Sequence, residues 1–190
     1  MILQDLNNSL NLIIAQTQAN AETLAIIVSI PWAVFILNSL MGQRLFILGI
    51  IPRRLYGLPG ILFAPLLHAN FNHIFFNSIP LIVLSNFILI QGLSYFLLAT
   101  ISITLISGFL VWCFAKSGIH LGASGVITGY WGLLVMNIYQ EGTFTAVILG
   151  IISLYYFAGI FLGIFPREKG VSWEAHLFGL LAGLATSYVI

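Results

Sequence analysis

Charge is what this chain lacks most. Its 190 residues include five acidic and six basic side chains, so charged residues make up 6% of the whole, against roughly a quarter in a soluble domain. No water-facing surface can be assembled from so few. That excludes a soluble globular enzyme, and a net charge of +1 gives no reason to expect a nucleic-acid partner. The single cysteine, Cys113, allows no internal disulfide and reads as a small apolar residue inside a span. The single aspartate, Asp5, lies in the tail, so the paired membrane aspartates of an aspartyl intramembrane protease are missing. No H-E-x-x-H stretch occurs, which removes the helical zinc-protease pattern. No Lys or Arg precedes Arg44, so the beginning of the chain does not read as a signal peptide.

What is present is apolar: 60% of the residues are hydrophobic and 14% aromatic. A hydrocarbon core about 30 Å thick needs roughly 20 apolar residues per helix. Six windows meet that length, at residues 23–41, 73–90, 93–114, 122–139, 143–165 and 172–190. Pro31 and Pro80 fall inside spans, where membrane helices tolerate proline better than soluble ones do. The expected fold is all-α: a polytopic six-helix membrane bundle over residues 23–190, preceded by an Asn/Gln-rich tail over 1–22 that suits either a surface helix or disorder. The link over 42–67 is long, and its large apolar residues suggest that it packs on the protein or dips into the membrane interface. Trp32, Trp112 and Trp173 lie near span ends or within spans, as interfacial or packing aromatics do.

Ionisable and polar groups inside such a bundle need a reason, and four stand out: His73, Asn77, Ser124 and His176. Each lies near the start of an even-numbered span, and alternating topology brings the starts of even spans to one side of the membrane. His73 and Asn77, four apart, share a helix face. Gly125 and Gly129, and again Gly179 and Gly183, form small-xxx-small faces that let helices approach closely. If these faces meet, Ser124 comes within reach of His176, and a serine beside a base at about 2.6–3.2 Å can act as a nucleophile. The backbone N–H of Ser124, with the Asn77 amide and the His73 imidazole, could stabilise an oxyanion. Taken alone, the bland alternative for Ser124 is a packing residue; the shared depth and the glycine faces favour catalysis. No carboxylate is placed to complete a triad. Glu141 sits in a loop on the opposite side, Glu174 points away from His176 on its helix, and Glu168 could reach only by folding back. A Ser–His dyad is therefore expected. His120 reads as a solvated loop residue, and His68 as one that holds a loop by hydrogen bonds.

With these residues in place, the chain resembles the rhomboid family of intramembrane serine proteases. The matching pieces are "GASG" at 122–125, "HANFNHIFFN" at 68–77 and "AHLFGLLAG" at 175–183, in the right order on the right spans, after a first loop "GIIPRRLYGLPGILFAPLLH". The resemblance implies Ser124 as nucleophile and His176 as general base and acid, with His73 and Asn77 on the oxyanion side. It also implies structural roles for His68, Gly122, Gly125, Gly179 and Gly183, and a cap over the site at residues 166–171. It implies cleavage of transmembrane protein substrates within the lipid bilayer, with no metal and no cofactor. The alternative is a pseudoprotease that binds membrane helices without cutting them. A transporter whose histidines bind metal or relay protons is a further rival. One departure is Thr128, where many family members carry an aromatic residue that stacks on the catalytic imidazole.

Orientation draws two opposed expectations. All six Lys and Arg fall on the side of the four polar groups, which the positive-inside rule would put in the cytoplasm. The resemblance implies a cell-membrane protein with its active face outward, and that orientation is preferred because the first-loop arginines can be tied into folded structure. Substrate identity and oligomeric state leave no mark on the sequence.

Overall fold

The computed structural model describes residues 2–165 and 172–190. Eight α-helices follow one another among them: α1 (Ile2–Ala19), α2 (Ala21–Leu40), α3 (Gly60–Phe63), α4 (Phe71–Leu89), α5 (Leu93–Phe114), α6 (Ser124–Gln140), α7 (Phe144–Leu162) and α8 (Trp173–Thr186). There is no β-sheet among the described residues; a single antiparallel bridge joins Ile50 to His120. The chain is thus an all-helical bundle, and its apolar helices α2 and α4 to α8 overlap the six windows read from hydropathy.

The tail is helical. Its α1 leads through Asn20 directly into α2, and Asn86 of α4 fastens it by accepting from Asn20 Nδ2 at 3.2 Å and donating to Thr17 Oγ1 at 2.8 Å.

Local chemistry sets the helix starts on the other side. The Asn70 side chain caps α4 by accepting from His73 N at 2.9 Å, and Ser172 caps α8 by accepting from Ala175 N at 3.3 Å; each satisfies a donor that the first helical turn leaves open. Glycines with positive φ turn the chain between helices, Gly92 (φ 106°) before α5 and Gly122 (φ 119°) before α6, conformations that side-chain-bearing residues rarely adopt.

Helix α6 is the axis of the bundle. Its residues Val126 to Leu134 are buried without interruption, packed among Leu84 and Ile88 of α4, Ala99 and Ile103 of α5, Leu149 of α7 and Ala182 of α8. The outer faces of the surrounding helices carry exposed Ile36, Phe76, Ile101, Leu105 and Tyr155, the surface a bilayer would cover. Three helices, α2, α4 and α5, are long and apolar enough to cross on those grounds alone. At about 1.5 Å per residue, α6 and α8 rise roughly 25 Å and 21 Å, less than the hydrocarbon thickness. The sixth window, 172–190, shortens to a helix ending at Thr186, followed by a turn that closes on Thr186. Short central helices leave polar helix ends at membrane depth, which is tolerable only where protein surrounds them.

The 42–67 link supplies that covering. It folds into 3-10 turns at Arg44–Leu48, Leu55–Gly57 and Ala64–Leu66 around α3. It is bound to the bundle at several points: Arg53 N donates to Trp112 O at 2.9 Å, Trp112 Nε1 to Arg54 O at 2.9 Å, and Gly122 N to Ala64 O at 2.9 Å. Arg53 also donates through Nη1 to the carbonyls of Cys113 (3.2 Å) and Ala115 (2.7 Å). It thereby caps the C-terminus of α5, where unpaired carbonyls and the helix dipole favour a cation.

Candidate active site

The starts of α4, α6 and α8 come together beneath the folded link. The closest approach is between α6 and α8, and glycine makes it. A side chain on Gly179 would strike the carbonyl of Gly125, and one on Gly183 the carbonyl of Gly129; a Cβ on Gly125 would stand 3.1 Å from Ala175 O. The two small-xxx-small faces therefore meet backbone to backbone. Ser124 and His176 are the sequence neighbours of the Gly125–Ala175 contact, each in the first turns of its helix and each half-buried.

Gly122 gathers the other two groups. A Cβ there would lie 2.7 Å from both Cε1 and Nε2 of His73 and 3.8 Å from Asn77 Nδ2. His73 takes a long contact from Ala69 N at its Nδ1 (3.5 Å), which leaves Nε2 as the proton-bearing nitrogen of the neutral ring, on the Gly122 side. The Asn77 amide nitrogen is buried and has no hydrogen-bond partner among the described residues. Buried donors are paired in the great majority of cases, so a lone one beside Gly122 is a donor that lacks an acceptor. The backbone N–H of Ser124, first residue of α6, belongs to the donors a helix start leaves open.

Among the described residues no hydrogen bond joins Ser124 Oγ to the His176 ring. His176 Nδ1 instead lies 2.9 Å from the carbonyl oxygen of Gly163, just past α7. Catalytic hydrogen bonds are often long in ligand-free enzymes and tighten on binding. Thr128 directs its hydroxyl to Ser124 O at 2.7 Å, a local helix bond, and gives the imidazole no aromatic face. Among the described residues the hydrogen-bond partner of the His176 ring is main chain, the Gly163 carbonyl.

The remaining two histidines lie in loops between helices. His68 is buried, accepts a long contact from Ala123 N (3.5 Å) and meets the His73 ring edge-on at 5.0 Å. Burial, then the neighbouring His73, push its pKa down to about 4, with the Leu66 main chain acting the other way. His120, expected to be solvated, is half-buried and is held at both ring nitrogens. Its Nε2 donates to Lys116 O at 2.8 Å and its Nδ1 accepts from the Ser172 hydroxyl at 2.7 Å, so it clasps the N-cap of α8. Glu174 is buried and its Oε1 has no partner among the described residues. Glu141, on the opposite side, accepts from Gln91 Nε2 at 2.6 Å. The expected cap, 166–171, and Glu168 within it lie outside the described residues. A cavity of about 40 Å³ touches Gly122 and Gly125 and is lined in part by Thr104, Ser107 and His120, room enough for a water molecule.

Comparison with known proteins gives a consistent picture. A family model described as "Rhomboid domain" matches residues 54–190. The chain is 36% identical over 178 residues to uncharacterized proteins of Mycobacterium tuberculosis and Mycobacterium bovis, covering 88% of this chain and 74% of each relative. It is 36% identical over 141 residues to an uncharacterized protein of Mycobacterium leprae, covering 69% of this chain and 55% of that one.

Proposed function

The chain belongs to the rhomboid family, and from that premise we propose that it is an intramembrane serine endopeptidase working through a Ser124–His176 dyad. A substrate transmembrane helix enters sideways from the bilayer and unwinds near small or helix-breaking residues. Ser124 Oγ attacks the scissile carbonyl as His176 takes its proton, and the oxyanion is received by Ser124 N–H, Asn77 Nδ2 and His73 Nε2. His176 returns the proton to the leaving amine, and water entering from the loop side hydrolyses the acyl-enzyme. The chemistry calls on no metal or cofactor. The site faces outward across a cell membrane.

The observation that carries this reading is the buried, unpartnered Asn77 amide beside Gly122, since a donor held without an acceptor suits a charge that exists only during reaction. The test is labelling of purified protein by a fluorophosphonate, alongside cleavage of a transmembrane substrate. Ser124→Ala removes both, and His176→Ala lowers both by at least about a thousandfold. A wild type that takes no label yet binds membrane helices is a pseudoprotease, and that result overturns the proposal.

A further inference from the structure

We propose that the main chain of Gly163, immediately after α7, is a positioning group for His176, setting its tautomer and ring orientation as a carboxylate does in a serine–histidine–aspartate triad. This rests on the protease reading above.

A carbonyl oxygen can only accept, so the 2.9 Å contact between Gly163 O and His176 Nδ1 places a proton on Nδ1. A neutral imidazole carries one N–H, and its lone pair is then on Nε2. The two nitrogens lie on different sides of the ring, so binding Nδ1 at the end of α7 turns the basic nitrogen away from α7 and leaves it free to take the serine proton. Gly163 O is also one of the carbonyls that the end of α7 leaves unpaired. The negative end of the helix dipole there favours the imidazolium that forms as Ser124 attacks.

The residue type is constrained as well. A Cβ on Gly163 would fall 2.5 Å from Nδ1 and 3.0 Å from Cε1 of His176, so any side chain displaces the ring. The Gly163 N–H is bound to Ile160 O at 2.9 Å, a tight turn that fixes the peptide. No acidic side chain among the described residues takes the role: Glu141 is engaged with Gln91 on the other side, and the buried Glu174 oxygen makes no hydrogen bond.

The tautomer is read directly by 15N NMR of histidine-labelled protein, with the His176 signals assigned by their loss in His176→Ala. Nδ1 protonated and Nε2 bare is expected; the opposite tautomer overturns the inference. In kinetics, Gly163→Ala lowers kcat and the rate of Ser124 labelling at least about tenfold with KM little changed. Gly159→Ala, one turn earlier in open space, leaves both unchanged. Should Gly163→Ala fold poorly, replacing the Gly163–Ile164 amide by an ester weakens the same acceptor without adding atoms, and kcat again falls. Wild type labelled at Ser124 with Gly163→Ala or the ester equally reactive overturns this inference alone. Wild type unlabelled at Ser124 overturns the protease reading and this inference with it.

Discussion

Asn77, half-buried, and His68, buried, each hold a buried ring or amide nitrogen that makes no hydrogen bond among the described residues. The Asn77 amide nitrogen lacks a partner, so the folded state carries its desolvation without a compensating bond. Asn77→Leu, close in volume and apolar, is expected to leave the thermal midpoint unchanged or raised while lowering kcat by about one to two orders of magnitude; unfolding and cleavage measured on the same detergent sample check both signs. His68 has its folded pKa lowered from 6.5 to about 4, so the fold favours the neutral ring. Its stabilising contribution is complete above about pH 6.5, where the unfolded ring is also neutral. It is lost as pH falls from there towards 4, by about 3 kcal/mol in all. Thermal unfolding followed across that window tests this, and His68→Gln, which does not titrate there, flattens the dependence.

At the scale of elements, the α6–α8 seam decides how closely Ser124 and His176 can approach. Gly179→Val and Gly183→Val each drive a side chain into a carbonyl of α6. Each is expected to cost about 1–3 kcal/mol in stability and to abolish cleavage, because separating the helices moves Ser124 from His176. Gly159→Val on α7, where the space is open, is the matched control, and loss of activity there would argue against a seam-specific effect. The glycine spacing was legible in the sequence because helical geometry puts residues four apart on one face. Which helix the face would meet was not, since any small-residue face could have packed on any other.

At the scale of the whole molecule, orientation sets charge bias against family membership. Arg53 weakens the first, because its guanidinium is bound to the end of α5 and is not a free loop charge. In a Cys113→Ser background, Ser117→Cys on the site side is expected to react with a membrane-impermeant maleimide on intact cells. Gln140→Cys on the other side should react only after lysis. The reverse pattern would put the site face in the cytoplasm.

The sequence by itself determined the membrane class and the positions of the apolar helices, because hydropathy and periodicity are properties of local stretches. It also carried the expectation that His73, Asn77, Ser124 and His176 lie at one end of the bundle, which follows from alternating spans. Only the tertiary structure decided the rest. It put His73 and Asn77 against Gly122, folded the 42–67 link over the ends of short central helices, drew His120 into the cap of α8, and turned His176 towards the Gly163 carbonyl. These are contacts between main chain and distant side chains. Every residue has the same carbonyl, and every one but proline the same N–H, so residue type does not mark in advance which one will be met.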